Sequence, residues 1–429
     1  MKKNTVRFPG LVLTDHEFQV PLAHSDPGGE QITVFAREVV APAMESDGLP
    51  WLLFLAGGPG FPSPRPEGRS GWLKRALEEY RLLLLDDRGT GRSTPVNHQT
   101  LARFPSAQAQ ADYLAHFRAD AIVRDAELIR RQLLGEEKWS VLGQSYGGFC
   151  LAHYLSAAPE GLREGIFTGG LPPIGQSIDD VYRATYGRVL ELNRRYYARY
   201  PGDQERAREI VDYLSRNEVE LPGGGTLSPR RFQQLGIKFG GRNGFELVHY
   251  LLETAFVQGA RGPELSFPFL RGVEENGAFE TNPIYALLHE SIYCEEAASD
   301  WSAQRVRAEF PEFSLNEGQP VYFTGEMIYP WMFDEYVHLR PVKEAAEILA
   351  AFEDWPALYD RDRLSRNTVP CVATVYYDDM YVERRFAEEA ARLINSTRIW
   401  LTNAYDHSGL RMDGEVVLDR LLGMLQGEA

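Results

Sequence analysis

The sequence predicts an α/β fold: a mostly parallel sheet flanked by helices, interrupted by an inserted helical segment. Three observations carry this expectation. Short, continuous apolar runs end in glycine-marked corners, namely Trp51–Leu55 before Gly57-Gly58-Pro59-Gly60, Arg81–Leu85 before Asp86-Asp87-Arg88-Gly89, and Trp139–Leu142 before Gly143. Runs of that kind belong to strands buried on both faces, which is the condition of a parallel sheet. An apolar stripe at helical spacing (Ala121, Ile122, Ala126, Ile129, Leu133, Leu134) separates the second run from the third, and strand–helix–strand alternation defines the α/β class. Finally, strand signals fade between 178 and 345 and return afterwards.

Each element follows from local pattern. Near the start, Glu17–Val20 and Gln31–Ala36 flank the turn cluster Ser25-Asp26-Pro27-Gly28-Gly29 and read as antiparallel strands. In the middle, stripes at Val181–Leu192, Ala207–Leu214 and Phe245–Phe256 read as helices, and Ser228-Pro229 is a helix start with a capping serine and proline at the first helical position. Beyond it, Val369–Tyr377 and Arg398–Leu401 read as strands, Phe386–Ala390 as a helix, and Val416–Leu425 as a closing amphipathic helix. The expected division is a sheet domain over 1–177 and 346–429, with a helical cap over 178–345.

Composition narrows the partners. The 429 residues carry 45 basic and 61 acidic side chains, a net charge of −16. Such a chain repels phosphate backbones, so no nucleic-acid partner is expected. Hydrophobic residues at 44% suffice for a large core. The cysteines Cys150, Cys294 and Cys371 form no Cys-x-x-Cys pair, and His289-Glu290 lacks the second histidine of a zinc-peptidase helix, so neither metal nor cofactor is expected. Lys2, Lys3 and Arg7 are followed by no apolar run, and no stretch has the length of a membrane span. No membrane partner is expected, and a cytoplasmic location is the default.

In an open α/β sheet, ligands bind beyond the carboxyl ends of the strands. Gly143-Gln144-Ser145-Tyr146-Gly147 stands at such an end. Its glycines permit a sharp strand-to-helix turn that lifts a serine hydroxyl clear of the sheet. A serine nucleophile needs a base, and the base an orienting carboxylate, in the chain order Ser, acid, His. His407 follows the last strand. Asp378 and Asp379 both end the strand before it, and a step of one residue reverses the direction of a side chain. Asp379 is preferred, with Asp378 open. Gly57–Gly60 is a candidate oxyanion loop, in which the Gly58 amide and the Tyr146 amide after the nucleophile would serve as donors.

Taken together, Gly57–Gly60, Asp87-Arg88-Gly89-Thr90-Gly91-Arg92-Ser93 and Gly143–Phe149 resemble the prolyl aminopeptidases (proline iminopeptidases), serine peptidases of the α/β-hydrolase fold. The resemblance continues through Thr168–Pro173, His289–Glu295 and Gly325–Pro330, and so spans nearly the whole chain. It implies Ser145 as nucleophile, Asp379 as acid and His407 as base, acting on short peptides with N-terminal proline. It also implies that cap glutamates hold the substrate amine, which points to Glu290, Glu295 and Glu326. Tyr293, Tyr329, Trp331 and Phe333 are candidates for the proline slot. Ala56 and Asp87 depart from the His and Gln common in relatives. Two other readings stay open: a carboxylesterase or broader aminopeptidase on the same triad, and a non-catalytic binding protein on the same scaffold.

Overall fold

The computed structural model describes residues 4–260 and 262–428; Lys2 and Lys3 lie outside them. Eleven strands occur in chain order: β1 (Asn4–Phe8), β2 (Leu11–Pro21), β3 (Gln31–Val40), β4 (Trp51–Leu55), β5 (Arg81–Asp86), β6 (Trp139–Gln144), β7 (Leu162–Thr168), β8 (Phe256–Gly259), β9 (Gly262–Leu265), β10 (Cys371–Tyr376) and β11 (Thr397–Thr402). Nine of them form one sheet in the order β1-β2-β3-β5-β4-β6-β7-β10-β11. The first three strands and the β3–β5 pairing are antiparallel, and every pairing from β5 through β4 onward to β11 is parallel. Strands β5, β6 and β10 are buried almost throughout, as continuous apolar runs require when helices cover both faces.

The expected strands and the flanking helices Ala119–Leu134, Arg384–Leu393 and Gly414–Gln426 are all present. The antiparallel pair near the start runs longer than its alternation suggested, with Val12 opposite Val40 and Pro21 opposite Gln31. Strands β1 and β7 had no distinct pattern in the sequence. β1 is exposed along its whole length and so carries no burial signal.

Between β7 and β10 the chain is mainly helical. The segments Ile178–Arg199 and Asp203–Arg216 match the expected stripes, and the Ser228 side chain caps Pro229–Gln233 by accepting from the Arg231 amide. The third stripe breaks early. Its helix ends at Glu253, and Phe256 opens the β8–β9 hairpin. These helical elements share one extensive apolar cluster that includes Tyr186, Tyr196, Phe239, Phe323 and Trp355. Arg118, at the start of helix Ala119–Leu134, ties them to the sheet domain: its buried guanidinium donates to the carbonyls of Ser291, Cys294 and Pro356. No helix among the described residues is long and apolar enough to cross a membrane.

Candidate active site

The turn after β6 is set by close backbone approach. A Cβ on Gly147 would stand 2.1 Å from the Leu55 carbonyl oxygen, and one on Gly148 would stand 2.3 Å from that of Gly170. Only glycines let helix Tyr146–Ala157 start so near the sheet. Ser145 itself adopts φ 55° and ψ −123°, a region that ordinary residues avoid at a cost of about 1–3 kcal/mol. The surroundings hold it there: the Ser145 amide donates to the Thr168 carbonyl at 3.0 Å, and its carbonyl accepts from the Gly148 amide at 2.8 Å. The serine side chain faces a cavity of about 400 Å³ that His407 also lines.

His407 sits in the loop after β11. Its Nδ1 lies 2.6 Å from Asp379 Oδ2. The other oxygen of that carboxylate accepts from the amides of Tyr381 and Val382 at 2.9 and 3.0 Å. Asp378, one residue earlier, points elsewhere and pairs with Arg195 at 3.2 Å. The alternative left open by the sequence is thereby closed in favour of Asp379 as the partner of the imidazole. The His407 ring is packed edge-on against Tyr381, with centroids 4.9 Å apart. Its backbone amide donates to the Gly240 carbonyl at 3.2 Å, so the helical region grips the histidine loop directly.

The Gly57–Gly60 loop packs against the nucleophile. A Cβ on Gly57 would lie 2.9 Å from Ser145 Cβ and 2.7 Å from Gln144 Oε1, and Gly58 takes φ 146°. Gly58 lines the cavity. Tyr146 is the first residue of its helix, so its amide is one of the N-terminal donors without an intrahelical acceptor. The positive end of that helix therefore faces the serine.

The three cap glutamates separate. Glu326 lines the cavity; it accepts from the Tyr285 hydroxyl and lies 4.0 Å from His289 Nε2. Burial pushes its carboxyl from the ordinary 4.5 up to about 7, the Tyr285 bond and the His407 charge opposing that rise. His289 brings no charge, because burial drives its imidazole down to about 3. Glu326 is thus a desolvated acid with no Lys or Arg nitrogen within 4.0 Å among the described residues. The structure does not bring Glu290 or Glu295 to the cavity. Glu290 caps helix Ser302–Arg307 through the amides of Ser302 and Ala303 at 3.2 and 2.9 Å. Glu295 holds the Leu358 and Tyr359 amides at 2.5 and 2.9 Å.

Tyr329 is also absent from the cavity wall. Its hydroxyl meets that of Tyr186 at 2.8 Å, and its ring stacks on Trp331. Phe333 likewise packs inside the core, and Tyr293, half-buried, packs against it; neither is on the wall. The aromatic lining comes instead from Phe54, Phe61, Trp72, Phe279, Tyr285 and Tyr381. Two of these had a positional cue: Phe61 follows the glycine loop, and Tyr381 stands two residues after Asp379.

Arg88 and Asp87 account for the loop after β5. Arg88 is buried, makes a two-point pair with Asp125 at 2.7 and 2.6 Å, and donates to the carbonyls of Pro21, Leu22 and His116. Asp87 is buried, and its Oδ1 has no hydrogen-bond partner among the described residues. Burial and the neighbouring Asp86 and Asp125 push its carboxyl well above the usual range.

Comparison with known proteins follows the same lines. Residues 50–234 match the family described as alpha/beta hydrolase fold. The chain is 51% identical over 414 residues to a proline iminopeptidase of Aeromonas sobria, covering 96% of each chain. The chain belongs to the proline iminopeptidase family. A second member, from Aspergillus aculeatus, is 36% identical over 97% of this chain and 94% of its own. Among solved structures, a proline iminopeptidase from Mycobacterium smegmatis aligns over 96% of this chain and 98% of its own, with 13% identity and a TM-score of 0.46.

Proposed function

We infer that this protein is a prolyl aminopeptidase, hydrolysing N-terminal proline from short peptides through a Ser-His-Asp triad. The observation that carries this reading is the pairing of two features in one cavity: a strained serine sharing it with an Asp-held histidine, and a desolvated carboxylate, Glu326, that forms no ion pair with a lysine or arginine among the described residues. The second feature favours a substrate that brings a cation. An N-terminal amine is largely protonated near neutral pH.

In the proposed sequence, Glu326 holds the proline ammonium and thereby fixes the first peptide carbonyl over Ser145. Ser145 Oγ attacks that carbonyl while His407 takes the hydroxyl proton, and Asp379 stabilises the imidazolium. The Gly58 and Tyr146 amides receive the developing oxyanion. The protonated histidine gives its proton to the leaving amine, and water then releases proline from the acyl-enzyme by the same steps in reverse order. The cap, read as 178–345, closes the space beyond the amine and so restricts cleavage to the first residue. A cytoplasmic site of action is part of this reading.

The test uses a prolyl arylamide, its N-acetylated counterpart and the Ser145→Ala variant. Turnover of the free amine that disappears in Ser145→Ala, with little turnover of the acetylated substrate, is the expected result. Equal turnover of both substrates would instead establish an esterase-like or broader hydrolase. Unchanged turnover in Ser145→Ala would overturn the triad.

A further inference from the structure

The cavity holds charges that the reaction above does not use. Lys238 and Arg411 line it together with Ser145, His407 and Glu326. Lys238 belongs to the turn Gln234–Gly240, whose last residue grips the His407 amide. Arg411 lies four residues past His407, on the short helix Gly409–Met412, and is exposed.

Neither cation is paired. Among the described residues, no carboxylate oxygen lies within 4.0 Å of Lys238 Nζ or of the Arg411 guanidinium, and neither side chain donates a hydrogen bond. This is unusual company for a chain of net charge −16, in which many arginines have carboxylate partners. Lys238 is also half-buried, and that burial, with no carboxylate nearby to offset it, lowers the affinity of its amine for a proton. A half-buried ammonium without a partner is a standing cost to the fold. A ligand anion would relieve it.

The layout of charge suggests which anion. Apart from the triad, the cavity lining offers one carboxylate, Glu326, and two cations. A dipeptide has the complementary layout: an ammonium at one end and a carboxylate at the other. From standard bond lengths, its carboxylate oxygens fall roughly 4–5 Å beyond the scissile carbonyl carbon, inside the cavity that Lys238 and Ser145 both line. A longer peptide carries its carboxylate farther out, and an amidated one carries none.

We propose that Lys238, with Arg411 at the rim, is a specificity-determining cation that binds the free C-terminal carboxylate of prolyl dipeptides. The proposal rests on the prolyl aminopeptidase reading, in which Glu326 fixes the opposite end of the substrate. Lys238 acts on the leaving-group side, so its contribution is absent from substrates that lack a carboxylate there.

The experiment compares kcat/KM for Pro-Gly and Pro-Gly-amide in the wild-type protein and in Lys238→Gln, Lys238→Met and Lys238→Arg. A charge-assisted contact of this kind predicts a wild-type preference for the free acid of about tenfold or more. The ratio should fall toward one in Lys238→Gln and Lys238→Met, and stay largely intact in Lys238→Arg, which keeps the charge. A wild-type ratio near one overturns the proposal without recourse to any variant. A ratio that persists in Lys238→Gln overturns the assignment to this residue. If the wild-type protein releases proline from neither peptide, the aminopeptidase reading itself fails, and this inference with it.

Discussion

Asp379 serves His407 with one oxygen and its own backbone turn with the other: Oδ2 lies 2.6 Å from the imidazole Nδ1, while Oδ1 takes the Tyr381 and Val382 amides. The carboxylate is therefore fixed before the histidine arrives. It also sets the tautomer, because a carboxylate beside Nδ1 requires the proton on that nitrogen and leaves Nε2 free to act as a base.

Asp379→Asn preserves the shape and removes the acceptor. Its kcat on a prolyl arylamide should fall by about 10³–10⁴-fold, with the fold retained by circular dichroism. Asp378→Asn loses only a pair with Arg195 and should stay within about threefold of wild type. Comparable losses in both variants would contradict the assignment.

Glu326→Gln should separate activity from stability. Losing the charge proposed to hold the substrate amine should lower kcat/KM for free-amine substrates by about 10–100-fold and shrink their advantage over N-acetylated ones. Stability should move the other way. The folded carboxyl titrates near 7 against an ordinary 4.5, so the folded state binds more protons than the unfolded state across that window. Wild-type stability therefore declines as pH rises from about 4.5 to about 7, by at most about 3 kcal/mol. The glutamine variant lacks this decline, so its gain in unfolding midpoint should be larger at pH 8 than at pH 5. A constant difference across that range would refute the cause given for the shift.

Gly57→Ala and Gly147→Ala should fail differently. At Gly57 the new methyl meets Ser145 Cβ and the Gln144 side chain, groups on the cavity wall, so activity should drop by about 10²-fold or more, as expected for a disturbed oxyanion site. At Gly147 it meets the Leu55 carbonyl at 2.1 Å, which is sheet backbone and cannot yield. That variant should lose folded protein outright. Soluble expression and thermal melts distinguish the two.

Arg88→Lys tests the loop after β5. A lysine cannot reproduce the two-point pair with Asp125 together with the three carbonyl contacts. A destabilisation of about 3–5 kcal/mol is expected from leaving Asp125 buried and poorly matched. It would be read as a lower denaturation midpoint, and a shift under 1 kcal/mol would show the network to be dispensable.

The sequence disclosed those parts of the fold whose physics is local. β5, β6 and β10 announced themselves because burial on both faces demands an unbroken apolar run, and the Ser145 turn because only glycines tolerate its crowding. Which carboxylates face the cavity was not legible by the same means. Glu290, Glu295 and Glu326 all lie in aromatic-rich segments, yet two of them satisfy helix or loop amides and one faces the cavity. That difference depends on the meeting of segments far apart in the chain, here residues 285, 326 and 407. Tyr329 misled for a related reason: an aromatic cluster reads the same whether it lines a pocket or fills a core, and this one fills a core. Lys238 and Arg411 gave no signal, since isolation from acids is a property of space, not of spacing.

The bond from the His407 amide to the Gly240 carbonyl ties the helical region to the loop that holds the proposed base. A motion that carries Gly240 away from His407 would stretch that bond or move the histidine loop with it. In the proposed mechanism, a shift of Gly240 would therefore also disturb the alignment of the base. A truncated protein stripped of its roof would keep the serine, the aspartate and the histidine, but would lose the main-chain anchor that sets the histidine in place.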